Sequence, residues 1–243
     1  MIQIAVFAAA RREMLTARTC ALLDSHGGAR ALACPKTLFY SAPSNFDAPK
    51  LPPLWRLVRR RGPFSGGLDY AWMCRTFPEG SDALVFEDDV YPATNAVCTM
   101  SRHHVPAGCA FTSFYDFHNL TEGQPIVVGP GEMMGAQAIL IPWRTLEAMR
   151  SGRKPFYPPS GGQETWLNRI AAILGQSIEI TPSLVQHVGT TSLYAPGATL
   201  TGERAPSTSF PEAFELPQFG DLWCSFHGSY HKDGQTCPLI ERE

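Results

Sequence analysis

Residues 83–92 read ALVFEDDVYP, four apolar residues running straight into three adjacent carboxylates, Glu87, Asp88 and Asp89. A short apolar run bounded by turn signals has the pattern of a buried strand. Carboxylates side by side at the end of such a strand repel one another and raise each other's pKa unless a cation compensates. The stretch therefore reads either as a solvated acidic turn or as a cation cradle at a strand end.

Working outward, the flanks alternate between strand-like and helix-like stretches. GGLDYAWMCRTF (66–77) predicts a helix carrying Leu68, Trp72, Met73 and Phe77, and PEGSD leads from it into the apolar run. Residues 2–9 predict a first strand, and EMLTARTCALLDS (13–25) a helix with Met14, Ala17, Ala21 and Leu22 on one face. ARALAC (29–34) predicts a second strand, followed by a Pro/Ser-rich loop over 41–53, and LWRLVRRRG (54–62) a basic helical turn. Downstream come a helix near 93–103, a strand in CAFTSFYDF (109–117), a glycine-rich loop VVGPGEMMG (127–135) and the apolar AQAILIPW (136–143). QETWLNRIAAILG (163–175) places Trp166, Leu167, Ile170 and Leu174 at helical spacing, and SIEITPSLVQHVG (177–189) predicts a closing strand. Strands separated by helices predict an α/β fold with a mainly parallel sheet flanked by helices. In open sheets of that kind ligands bind beyond the carboxyl ends of the strands, where Glu87, Asp88 and Asp89 lie.

The bulk composition agrees with one sizeable globular domain. Of 243 residues, 44% are hydrophobic and 17% charged, which excludes a disordered chain. No apolar stretch is long enough to span a membrane. The apolar start MIQIAVFAAARRE lacks the preceding positive charges of a signal peptide, so the expected location is cytoplasmic. Seven cysteines, odd in number and dispersed, fit reduced thiols. The net charge of −2 is uneven: residues 1–75 hold 11 Lys/Arg against 4 Asp/Glu, and residues 76–243 hold 9 against 18. A basic N-terminal portion points to an anionic ligand or to plain surface charge.

In this setting several stretches resemble the GT-A glycosyltransferases. DALVFEDDV resembles their acidic metal-binding motif, and AAARREMLTARTCALL (8–23) their first strand and helix. GGQETWLNRI (161–170) is similar to the acidic motif that opens a helix and carries the base of inverting members. PSLVQHVGTTS (182–192) is similar to their closing strand, and QHVGTTS resembles the N-acetylglucosaminyltransferase IV group. The resemblance spans residues 1–192 and implies a Rossmann-like GT-A domain there, with 193–243 as a loop-rich extension. It implies Mn²⁺ or Mg²⁺ held by Asp89 and His187, with Glu87 and Asp88 supporting the metal or the donor's ribose and sugar. Glu164 falls where the base lies, although the family has Asp preceded by Glu and this chain has Gln163 before Glu164. Arg11 and Arg12 follow the first strand, near the place of a nucleotide, and Gly135, with Gly129 and Gly131, would let backbone approach the donor sugar. The implied reaction is sugar transfer from a nucleoside-diphosphate sugar, UDP-sugar foremost, to an acceptor hydroxyl.

Two features leave alternatives open. Cys224, His227, His231 and Cys237 could supply a structural Zn²⁺ site, form a disulfide, or be a chance cluster in the tail. Trp55 with Arg56, Arg59, Arg60 and Arg61 forms a basic, aromatic-bearing stretch that suits a phosphate-rich partner or a solvated face. The acceptor is accordingly expected to be a glycan or a hydroxymethylated base in DNA, as for phage-type DNA glycosyltransferases. The rival reading is a non-catalytic nucleic-acid-binding module built on the basic portion and the zinc-like tail.

Overall fold

A computed structural model describes residues 1–10, 12–27, 29–62, 66–151, 163–188, 207, 209–211, 221–224 and 229–232. In chain order, the N-terminal elements are β1 (Ile2–Ala9), α1 (Glu13–His26), α2 (Ala29–Ala33), β2 (Lys36–Ala42), β3 (Trp55–Arg61), α3 (Gly66–Thr76) and β4 (Asp82–Glu87). Then follow β5 (Val90–Pro92), α4 (Ala96–Met100), β6 (Cys109–Ser113), β7 (Ile126–Val128), β8 (Ala138–Ile141) and α5 (Trp143–Ser151). The remaining elements are α6 (Gln163–Leu174), β9 (Ser177–Ile180), β10 (Val185–His187), β11 (Asp221–Cys224) and β12 (Ser229–Lys232).

Eight strands form one sheet in the order β3-β2-β1-β4-β8-β6-β9-β7. The half from β3 to β4 is parallel throughout. In the other half β8 runs antiparallel to both β4 and β6, β6 and β9 are parallel, and β7 is antiparallel to β9. The α/β class expected from the alternation is the class observed. Strand β1 shows why: Ile4, Val6 and Ala8 face one apolar layer and Ala5 and Phe7 the other, as the two-residue period of a strand requires. A strand buried on both faces is a continuous apolar run, and β1 has that sequence. Residues from α1, α2 and α4 pack into the first layer, and residues from α3, α5 and α6 into the second.

Several local expectations are corrected, among them the closing strand over 177–189, which is split into β9 and β10 in different sheets. ARALAC is helical over Ala29–Ala33, and the second strand is instead Lys36–Ala42, all seven residues of which are buried. LWRLVRRRG is not a helical turn but the edge strand β3, where charged residues are tolerated because one side of the strand has no partner strand among the described residues. The buried side of α1 carries Thr16, Thr19, Cys20 and Leu23, while Met14 is 60% exposed. In α3, likewise, Tyr70, Met73 and Cys74 are buried, as is Phe77 just beyond it, and Leu68 and Trp72 are exposed. The face assigned to α6 holds for Trp166, Leu167 and Ile170, with Leu174 packed at its margin.

Part of the C-terminal stretch docks on this body. Gln186 exchanges two hydrogen bonds with the Ser207 backbone, at 2.9 and 3.0 Å, and Phe210 is buried in the first apolar layer. Among the described residues, no helix is long and apolar enough to cross a membrane.

Candidate functional site

Strand β4 ends at Glu87, and the chain turns through Asp88 and Asp89 into β5. Parallel neighbours bring the carboxyl end of β1 alongside, with Phe7 in register with Glu87. Chain leaving β1 therefore passes the acidic turn, and Arg12, just before α1, reaches it. Arg12 Nη1 donates to Asp88 Oδ1 at 2.8 Å, and Nη2 donates to Asp89 Oδ2. The turn is further fastened from α1: Thr16 Oγ1 donates to Asp88 Oδ2 at 3.3 Å, and Thr19 Oγ1 to the Asp88 carbonyl at 2.9 Å. Three residues apart on one helix, these hydroxyls share a face. That explains why polar residues occupy the buried side of α1.

From the other side comes the β5–β10 ribbon, in which His187 pairs with Val90. The Val188 N–H donates to the Asp89 carbonyl at 2.8 Å, and His187 Nε2 lies 2.9 Å from Asp89 Oδ2. Asp89 Oδ2 is thus shared by Arg12 and His187, while Asp89 Oδ1 is buried with no hydrogen-bond partner among the described residues. One ligating atom from each of Glu87, Asp89 and His187 lies within 4.8 Å of the other two.

The electrostatics divide the three acids. Burial pushes Asp89 upward, but the charges of Arg12 and His187 outweigh it and hold Asp89 well below the ordinary carboxylate range. Burial, reinforced by the neighbouring Asp89, pushes Glu87 up to about 8. Burial also pushes Asp88 up to about 7, against the pull of Arg12. For Arg12, burial favours the neutral form, and Asp88 with Asp89 outweighs it, so the guanidinium stays charged. The turn is thus an acid-rich pocket short of positive charge. Two carboxylates and an imidazole brought this close together suit a divalent cation that accepts oxygen and nitrogen ligands.

Glu164 approaches from α6. Its position is set by packing: Trp166 stacks on Tyr70 of α3 with ring centroids 4.8 Å apart, and Leu167 and Ile170 are buried. A carboxylate in the first turn of a helix is favoured by the helix dipole. The glycine-rich loop is tied to this helix, since Gly131 N–H donates to Asn168 Oδ1 at 2.9 Å and Asn168 Nδ2 donates to the Met133 carbonyl at 2.8 Å. Gly135 N–H donates to Glu164 Oε2 at 3.0 Å. With φ at +80° and a would-be Cβ 2.4 Å from Gln137 Oε1 and 2.9 Å from the Tyr115 ring, position 135 admits only glycine without rearrangement.

The residues singled out from sequence thus divide. Arg12, Glu87, Asp88, Asp89 and His187 form one connected network, and Gly135 and Glu164 form a second next to it through Gln137, whose Nε2 donates to Glu87 Oε2 at 3.0 Å. Arg11 lies outside the described residues, as do His227, Cys237 and the side chains of Cys224 and His231. In the β11–β12 hairpin, Leu222 pairs with His231 and Cys224 with Ser229. Among the cysteines whose side chains are described, Cys20, Cys74, Cys98 and Cys109 are free thiols.

The basic stretch is spent internally in part, with Arg56, Arg59 and Arg61 exposed. Trp55 is buried with its Nε1 donating to Asp24 at 3.0 Å, Arg60 is paired with Asp69 at 2.9 Å, and Arg59 donates to the Pro43, Ser44 and Phe46 carbonyls. Sequence inspection missed Thr16, Thr19 and Gln137. The threonine spacing on α1 and a glutamine entering an apolar strand were the available signals.

The chain is thus an α/β protein with an acidic, histidine-bearing cluster at the carboxyl end of its sheet. No family model and no curated protein matches it. Among solved structures, it is similar to the glycosyltransferase GlyE of Streptococcus pneumoniae TIGR4, at 13% identity and TM-score 0.40, covering 70% of this chain and 43% of that one. It is similar to a glycosyltransferase involved in glycosylation of the major capsid of PBCV-1, at 12% identity and TM-score 0.43, covering 78% and 94%. A Drosophila β-1,4-galactosyltransferase 7 mutant, solved with manganese, UDP-Gal and xylobiose, is similar at 10% identity and TM-score 0.43, covering 96% and 82%. This chain spans less than half the length of the pneumococcal protein.

Proposed function

We propose that the chain is a metal-dependent glycosyltransferase of the GT-A type, moving a sugar from a nucleoside-diphosphate sugar to an acceptor hydroxyl with inversion. One observation carries the reading: a ligating atom from each of Glu87, Asp89 and His187 lies within 4.8 Å of the other two, and Asp89 Oδ1 is buried with no hydrogen-bond partner among the described residues. Those three residues would hold Mn²⁺ or Mg²⁺. When bound, the ion stabilises the charge that develops on the departing diphosphate.

The chain's own residues supply the rest. Arg12 and His187 keep Asp89 ionised at neutral pH. Arg12 offsets the charge of Asp88 and Asp89 beside the place proposed for the nucleotide. Glu164 Oε2 is fixed by the Gly135 N–H, which leaves Oε1 to take the proton from the acceptor hydroxyl as that oxygen attacks the anomeric carbon. Freezing donor and acceptor in that geometry removes much of the entropic barrier. Having Glu in place of the family's Asp lengthens the base by one methylene.

The acceptor we assign is a glycan hydroxyl. Internal use of Trp55 and Arg60 removes part of the patch that suited a nucleic-acid backbone, and residues 76–243 carry an excess of acid. The test is mass spectrometry of products from UDP-, GDP- and dTDP-sugars with Mn²⁺, offered to glycan acceptors and to hydroxymethylated DNA. The expected product is a glycan heavier by one sugar residue. Transfer to DNA alone would overturn the acceptor assignment, and failure to use any donor would overturn the enzyme itself.

A further inference from the structure

A glutamine is an unexpected residue at the entrance of an apolar strand, and Gln137 sits there, 8% exposed. Strand β8 pairs antiparallel with β4, Phe86 opposite Ala138, so the next pair outward is Glu87 with Gln137. Directly opposed residues of an antiparallel pair project their side chains to the same side. The backbones agree, with Glu87 N–H donating to the Gln137 carbonyl at 3.2 Å, and the side chains meet, Nε2 to Glu87 Oε2 at 3.0 Å.

The other end of the amide is what makes this informative. Gln137 Oε1 is buried and has no hydrogen-bond partner among the described residues. A buried acceptor without a partner is costly, and an apolar side chain of equal length would avoid the cost. In the arrangement observed it is the amide N–H, and not Oε1, that faces Glu87 Oε2. A Cβ at position 135 would lie 2.4 Å from Oε1 and 2.9 Å from the Tyr115 ring, so the amide fits only because residue 135 is glycine. The arrangement keeps an N–H on Glu87 and accepts a loss elsewhere to do so. Asp89 has Arg12 and His187 to orient it, whereas the side-chain donor seen on Glu87 among the described residues is Gln137. Without that donor, no side-chain hydrogen bond seen among the described residues would fix the Glu87 carboxyl in the cluster.

We infer that Gln137 is a positioning residue for the metal cradle, holding the Glu87 carboxylate against its acidic neighbours so that it meets the ion together with Asp89 and His187. This rests on the metal reading of the site. Partners one step removed from a metal commonly govern its affinity through the ligand they orient.

The test is calorimetric titration of Mn²⁺ alone into the full chain, as wild type, Gln137→Met and Gln137→His. Methionine keeps the length and loses the donor, whereas the histidine Nε2–H sits as many bonds from the backbone as the glutamine Nε2. Thermal melting without metal checks that each chain is folded. The expected result is a loss of about 10- to 100-fold in Mn²⁺ affinity for Gln137→Met, with Gln137→His near wild type. Unchanged affinity in Gln137→Met, or equal losses in both variants, would overturn the inference while leaving the metal reading intact. A Gln137→Met chain that does not fold would contradict a role confined to Glu87. Wild-type protein that binds no Mn²⁺ would overturn the metal reading and this inference with it.

Discussion

The acidic turn after β4 and the first turn of α6 both present carboxylates to the same space, and they are held in opposite ways. At the turn, Asp88 and Asp89 are wrapped by Arg12, Thr16, Thr19 and His187, with side chains buried to within a few percent. At α6, Glu164 is half-buried and takes one backbone N–H, from Gly135. A group that must hold a cation gains from being over-determined, because its geometry then costs nothing to assemble. A group that must gain and lose a proton needs an oxygen left open to do it. The contrast assigns holding to the turn and proton transfer to the helix, and each variant below acts on one side of it.

The largest effect is expected at Asp89. Asp89→Asn keeps the shape and removes the charge that Arg12 and His187 both address, so Mn²⁺ binding and donor turnover should fall below detection in calorimetry and in a coupled diphosphate-release assay. Next is Glu164→Gln, which should lower turnover by about 10²- to 10⁴-fold while leaving Mn²⁺ and donor affinity unchanged. Should affinity fall and turnover hold, the two roles would be exchanged. Arg12→Met leaves two buried carboxylates without their guanidinium, and urea unfolding should register a loss of about 3–5 kcal/mol. Added Mn²⁺ should restore more stability to that variant than to wild type, because the ion replaces the missing charge. The smallest effect is at Gly135→Ala, where a positive φ and a close Gln137 and Tyr115 should cost about 1–3 kcal/mol by thermal melting. Turnover there should fall more than metal affinity, since the Gly135 N–H serves Glu164.

How much of this was legible beforehand depended on whether hydropathy and function pulled together. Strand β1 and the run into Glu87 were legible because burial on both faces writes an unbroken apolar stretch. Helix α6 was legible because Trp166, Leu167 and Ile170 recur at helical spacing. Thr16 and Thr19 were hidden because α1 packs polar hydroxyls on an acidic turn, so hydropathy favoured the wrong face and put exposed Met14 inward. Strand β3 was hidden because, at the sheet edge, arginines replace the apolar residues that normally announce a strand. ARALAC misled because alanine marks neither helix nor strand by burial alone, and Ala29–Ala33 is helical. The acidic cluster could be found in sequence, whereas its closure could not. Arg12 and His187 lie 77 and 98 residues from Asp89 along the chain, and only the sheet order brings them together.

The most direct test of the central claim is donor binding with and without Mn²⁺, measured by calorimetry for wild type and Asp89→Asn with UDP-, GDP- and dTDP-sugars. The account predicts that at least one donor binds wild type only in the presence of the ion, and that Asp89→Asn binds none. Donor binding that is indifferent to Mn²⁺, or that survives intact in Asp89→Asn, would contradict it.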